Sequence, residues 1–102
     1  MAAYIVVDIE VRDQPEYEKY KSVAPESIRN YGGKYLVRGG EVQTLEGEWP
    51  LQRVVVLEFP DALRARAWWN SVEYRPAREL RQRAARCRMV LLEGVPAGRG
   101  ED

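Results

Sequence analysis

Length and charge restrict the classes of protein to which this chain can belong. It has 102 residues, with 16 Lys+Arg, 16 Asp+Glu, no His and one Cys. The length fits one domain of ordinary size and not two, and zero net charge argues against a general nucleic-acid binder. Because His and paired Cys supply the usual zinc and haem ligands, we predict neither a metal nor a cofactor.

The composition also bears on location. Residues 1–11 have neither a basic start nor an apolar core of roughly 7–15 residues, so they do not resemble a signal peptide. No stretch approaches the ~20 apolar residues of a membrane span. The lone Cys87 is typical of a reducing compartment. We therefore expect a soluble cytoplasmic protein with no membrane partner.

The first predicted elements are a strand and a helix. Residues 4–11 are rich in β-branched side chains and alternate at their end, which predicts a strand. Asp13 and Glu16 have the spacing of a helix start, and the glycines at 32–33 mark its end. Pro25 removes a backbone hydrogen bond inside this helix, so we expect a kink or a break just before it.

The remaining elements follow in a regular order. We predict a strand at 34–45 interrupted by two glycines, a strand at 53–59, helical segments at 62–69 and 72–86, and a strand at 87–95. The resulting order, β-α-β-β-α-β over about 100 residues, is that of the ferredoxin-like α+β fold. Right-handed crossovers then place both helices on one face of a four-stranded antiparallel sheet. We assign residues 1–96 to one domain and 97–102 to a flexible C-terminal tail.

The sheet face away from the helices has an unusual pattern. Its middle is apolar (Val6, Val54, Val56, Val90 and Leu92), although alternation also assigns it Asp8, Glu58, Arg88 and Arg38. An apolar patch of this kind marks an interface or a ligand groove. We therefore expect two copies to pack sheet to sheet as a homodimer, with a cavity between or beside the sheets.

Several segments resemble a known family. They are GGKYLVRGG (32–40), EGEW (46–49), VVLEFP (55–60), WWNSVEY (68–74) and Glu93-Gly94, and together they resemble the bacterial family called domain of unknown function 1330. The resemblance covers residues 4–96, with departures at Trp69, where Tyr is common, and Val72, where relatives often have Pro. It implies a dimeric α+β barrel of two ferredoxin-like subunits and brings no established reaction. The wider superfamily includes cofactor-free monooxygenases, isomerases, decarboxylases and stress-response proteins, which is analogy of fold alone.

Three charged residues are candidates for catalysis. Arg38 precedes two glycines, so either a carboxylate or enolate ligand approaches its guanidinium closely, or it pairs with a strand carboxylate while the glycines bend the sheet. Glu58 ends an apolar strand, where burial would raise its pKa and suit it to proton transfer; alternatively it forms a salt bridge with Arg38 or Arg53. Asp8 either moves the proton or pairs with Arg88 on the adjacent strand.

Aromatic and basic residues are candidates for substrate binding. These are Trp49, Arg53, Trp69, Tyr74 and Arg78. The tryptophans would line a pocket for a planar ligand, with one of Trp68 and Trp69 in the core. Tyr74 and Arg78, four residues apart, would bind an anion at the pocket mouth, or their face would be solvated or pack on a partner.

The chain also has a run of arginines at 75–88. We interpret it as a solvated helix surface, because no stacking aromatics are interleaved with it. Cys87 has no His partner, which argues against thiol catalysis.

Two functional hypotheses follow. The first is a small dimeric enzyme that performs proton transfer or cofactor-free oxidation on a small organic acid or aromatic compound, with Arg38 stabilising negative charge. The second is a non-catalytic ligand-binding or stress-response module, in which the carboxylates and arginines are structural pairs.

Overall fold

The computed structural model describes residues 1–96, and the tail predicted at 97–102 lies outside them. The elements are β1 (Ala3–Val11), α1 (Gln14–Asn30), β2 (Lys34–Arg38), β3 (Arg53–Phe59), α2 (Ala62–Trp69), α3 (Arg75–Ala84) and β4 (Ala85–Glu93). The predicted ferredoxin-like order is confirmed, with the second helical region divided into α2 and α3. Within the described residues, no helix has the length and apolar character needed to cross a membrane.

The four strands form one antiparallel sheet in the order β2-β3-β1-β4. Side chains alternate across a strand, so one face of the sheet, here called the helix face, buries every second residue of β1 and β3. Ile5, Val7 and Leu57 on this face belong to the same core as Trp68 of α2. The opposite surface is called the open face.

Helix α1 is continuous through Pro25, so the predicted break is absent. Asp13 caps the helix, and its carboxylate accepts a hydrogen bond from the Glu16 amide at 3.2 Å. A proline has no N–H for the carbonyl four residues earlier. That carbonyl belongs to Lys21, and it accepts a hydrogen bond of 2.9 Å from Arg38 Nη2. The proline therefore leaves α1 an acceptor that a side chain of β2 uses.

Strand β2 ends at Arg38 and does not extend to residue 45 as predicted. Gly39 has φ +72°, a conformation that is strained for residues with a Cβ. A Cβ at Gly39 would also overlap the Arg53 guanidinium. Residues 39–52 consequently leave the sheet as a segment without helix or strand.

An irregularity in β2 changes the face on which Arg38 lies. Tyr35 pairs with Leu57, but Val37 pairs with Val56, so Leu36 is an extra residue in the strand. Arg38 then lies opposite Val55, which is a helix-face residue. The assignment of Arg38 to the open face by simple alternation was therefore wrong.

The boundary between α3 and β4 also differs from the prediction. The helix ends at Ala84 and the strand begins at Ala85, two residues before the expected start. The carbonyl of Ala84 accepts hydrogen bonds of 2.9 Å from the amides of Arg12 and Asp13. This contact ties the end of α3 to the end of β1, where Ala85 pairs with Val11.

Candidate functional site

The three predicted catalytic residues do not share one side of the sheet. In the strand register, Asp8 lies opposite Val54 and Arg88, and Glu58 lies opposite Tyr4. All of these residues are on the open face. Arg38 lies on the helix face. The sheet itself therefore separates both carboxylates from Arg38 within one chain.

The open-face carboxylates each have a cationic partner. Arg88 Nη2 lies 2.7 Å from Asp8 Oδ2, and the Gln52 amide donates to Asp8 Oδ1 at 3.3 Å. The hydrogen bond from Arg88 lowers the pKa of Asp8, although burial opposes this shift. Glu58 pairs with Lys34 at 3.2 Å.

A cavity lies between the helices and the helix face, and we call it the inner cavity. Its volume is about 20 Å³, which is enough for about one water molecule. Arginines, tyrosines and aliphatic side chains line it. The polar members of the lining are Tyr17, Tyr20, Lys21, Tyr35, Arg38, Arg53 and Arg81. No Asp or Glu lines this cavity within the described part of the chain.

Arg53 and Arg38 enter the lining from adjacent strands. Arg53 Nε donates to the Tyr17 hydroxyl at 3.2 Å, and its guanidinium lies 5.5 Å from the centre of the Tyr17 ring. The Arg38 guanidinium lies 4.4 Å from the Tyr35 ring centre. The guanidinium packed against Gly39 is that of Arg53.

Arg81 is the most deeply placed of the three arginines, with 5% of its surface exposed. The expectation of a solvated surface was therefore wrong for this member of the run. Its Nε donates to the Tyr74 hydroxyl at 3.1 Å, and that hydroxyl lies 3.0 Å from the Tyr20 hydroxyl. A buried cation is normally paired with an anion.

None of Arg38, Arg53 and Arg81 forms an ion pair with a carboxylate of residues 1–96. Burial raises the pKa of the Tyr17 and Tyr35 phenols, and it raises that of Tyr20 strongly. These tyrosines therefore stay protonated at neutral pH. Neutral phenols cannot compensate the guanidiniums, so the inner cavity has an unbalanced positive charge and suits an anion.

The other predicted binding residues lie elsewhere. Tyr74 is fully buried, so the structure places it in the core beneath Arg81 and not at a pocket mouth. Arg78 lies over Trp69, 4.6 Å from its ring centre, and donates to the Trp69 carbonyl at 2.6 Å. Trp68 is the core member of the tryptophan pair, as expected. Trp49 is 66% exposed on the segment between β2 and β3.

Sequence reasoning missed the tyrosines and Arg81 as cavity residues. Tyr17 and Tyr20 of α1 were not among the predicted site residues. The available signal was the three-residue spacing of two hydroxyl-bearing aromatics, which places both on one helix side. Arg81 lies four residues after Ala77 and three before Ala84, which are both buried, so the helical spacing of the small residues in α3 was the available signal for its burial.

The described residues contain no group of three or more His, Cys, Asp or Glu side chains arranged to hold a metal ion.

The family of the chain follows from comparison with known proteins. The model of the family called domain of unknown function (DUF1330) matches residues 2–95. The chain belongs to the DUF1330 family. No curated protein matches it in sequence.

Solved structures with this fold include several proteins of similar size. A protein of unknown function from Rhodopseudomonas palustris, RPA0582, is 19% identical with a TM-score of 0.74, covering 93% of this chain and 83% of that one. A dimeric ferredoxin-like protein of unknown function from Jannaschia sp. CCS1 is 14% identical with a TM-score of 0.69, covering 92% and 100%. SnoaB, a cofactor-independent oxygenase from Streptomyces nogalater, is 14% identical with a TM-score of 0.61, covering 96% and 97%. At these identities the similarity shows the fold alone.

Proposed function

We propose that this DUF1330 protein binds a small aromatic or enolic acid as its anion in the inner cavity, and acts on it by proton transfer or cofactor-independent oxidation. The observation that carries the proposal is the set of three arginines without carboxylate partners around an aromatic-lined cavity. Guanidiniums bind planar oxyanions through paired hydrogen bonds.

The lining also restricts the ionisation state of the ligand. A substrate that arrived neutral would need a base, but Asp8 and Glu58 lie across the sheet, and the lining tyrosines stay protonated. We therefore favour a compound that is already ionised at neutral pH. Arg38 and Arg53 would stabilise the negative charge on its oxygen, and the Tyr17 hydroxyl would complete the set of donors.

The inner cavity must widen to admit such a ligand, because about 20 Å³ holds only a water. Arg38 is exposed at the cavity rim, and Tyr35 beneath it is half-buried. Movement of these two side chains would open the cavity from the β2 edge. Their contacts are consistent with this motion, since a single hydrogen bond to α1 holds the Arg38 side chain.

We also propose that the protein is a homodimer formed through the open face. The dimeric neighbour from Jannaschia supports this arrangement, as does the exposure of Val90 (54%) and Leu92 (50%) on that face. The cytoplasmic location stays a prediction.

A non-catalytic binding module is the second candidate. It is favoured by the absence of an Asp or Glu base from the lining of the inner cavity within the described residues. The same arginines would then hold a ligand without turning it over.

The test uses dimedone, a cyclic diketone that is ionised at neutral pH, with its neutral enol methyl ether as the matched probe. Titration calorimetry is expected to show saturable binding of the anion only. Arg53→Gln and Arg38→Gln should each weaken that binding about tenfold or more, because each removes a charge-assisted hydrogen bond. The control variant Arg66→Gln, on the exposed side of α2, should bind normally.

Two further readings complete this test. Thermal melting of each variant separates lost binding from lost folding. Oxygen uptake, or exchange of the dimedone C2 proton faster than in buffer, would support the enzyme hypothesis. Binding with neither would support the hypothesis of a non-catalytic binding module. Absence of saturable binding, or equal binding of the neutral ether, would reject the anion site itself.

A further inference from the structure

The arginine run at 75–88 is divided by the fold into residues with different partners. Arg75 pairs with Glu79, Arg78 packs on Trp69, and Arg88 pairs with Asp8. Arg83 and Arg86 form no ion pair with any carboxylate of residues 1–96.

These two arginines line a surface cleft at the junction of β1, α3 and β4. The cleft has a volume of about 410 Å³, and its lining is Arg12, Arg81, Gln82, Arg83, Ala85, Arg86 and Cys87. We call it the basic cleft. The Arg12 and Asp13 amides bonded to the Ala84 carbonyl hold its walls together.

The basic cleft has a large charge imbalance. Four guanidiniums line it, and the one carboxylate paired with any of them in the described chain is Glu10, 3.8 Å from Arg12 Nε. Arg81, almost fully buried, lies at its inner side and also lines the inner cavity. An excess of guanidiniums over carboxylates around one surface favours a multivalent anion over a single carboxylate.

We propose that the basic cleft is a second anion site, which binds the phosphate or pyrophosphate group of a small molecule. The lack of an aromatic side chain in its lining argues against single-stranded nucleic acid, which needs stacking platforms. Because Arg81 borders both spaces, an anion in the basic cleft would lie next to the ligand of the inner cavity. The site stands on its own residues and does not require the proposed reaction.

The experiment is titration of the full chain with pyrophosphate at constant ionic strength, followed by calorimetry and by the NMR signal of the Arg81 Nε–H. We expect saturable binding and a shift of that signal. Arg83→Gln and Arg86→Gln should each weaken pyrophosphate binding about tenfold, while Arg66→Gln leaves it unchanged. Neither variant alters Arg38 or Arg53, so dimedone binding should persist in both.

Three results would overturn the proposal. The first is a shift that does not saturate, or an equal loss in Arg66→Gln, either of which means general charge screening. The second is normal pyrophosphate binding by Arg83→Gln with a lower melting temperature, which would assign Arg83 to stabilising the C-terminus of α3. The third is tight binding of a short oligonucleotide without binding of pyrophosphate, which would assign the cleft to nucleic acid.

Discussion

The two faces of the sheet differ in the partners of their charged side chains. On the open face, Asp8 and Glu58 each have a cation within 3.2 Å, among valines that stay partly exposed. On the helix face, Arg38 donates to a carbonyl and Arg53 to a tyrosine, and Arg81 of α3, which also lines the inner cavity, donates to another tyrosine. Asp8 and Glu58 are thus neutralised among apolar side chains, which suits an interface, whereas the arginines around the inner cavity have no carboxylate partner, which suits a site for an anion.

The largest expected effect tests the open face as an interface. Val90→Glu should convert the proposed dimer to a monomer, because each interface would bury two unpaired charges, at about 3–5 kcal/mol for each. Light scattering measures the mass, and circular dichroism should show an unchanged fold. Leu63→Glu, on the exposed side of α2, is the control. A wild-type monomer at micromolar concentration, or a Val90→Glu dimer, would contradict this assignment.

A smaller effect tests Arg81, the buried cation of α3. Tyr74→Phe removes the acceptor of Arg81 Nε and should lower the free energy of unfolding by about 1.5–3 kcal/mol, since the lost hydrogen bond involves a charged group. Tyr20→Phe removes a bond between neutral phenols and should cost only about 1 kcal/mol. Urea denaturation measures both. Equal losses would mean that Arg81 gains nothing from Tyr74.

The smallest effect tests whether the open-face pairs are merely structural. The pKa of Asp8 is lower in the folded state than in the unfolded chain. Its carboxylate therefore stabilises the fold at pH values above the unfolded pKa near 3.9, and this stabilisation is lost as the pH falls through the folded pKa. Asp8→Asn should reduce the fall in melting temperature that the wild type shows between about pH 5 and pH 2. At pH 7 it should cost about 1 kcal/mol or less, because the Arg88 side chain is 71% exposed. The control Glu26→Gln, on an exposed part of α1, should show the same fall in melting temperature as the wild type. The same fall in Asp8→Asn would refute the pairing.

Local patterns were sufficient for much of the fold. The strand at 53–59 was predicted with its observed bounds, and the Asp13 cap and the Asp8–Arg88 neighbourhood are confirmed. Candidate site residues were predicted less well. Arg38 and Arg53 line the inner cavity, but the carboxylates expected beside Arg38 lie across the sheet.

The sequence by itself determined the order of elements and the buried alternation of β1, because the periods of strands and helices are properties of neighbouring residues. Only the tertiary structure decided which charges meet. The extra residue at Leu36 turns Arg38 to the helix face, and Pro25 leaves α1 the Lys21 carbonyl that anchors it. Arg81 is buried because α3 packs against α1. Each of these outcomes depends on contacts between residues far apart in the chain.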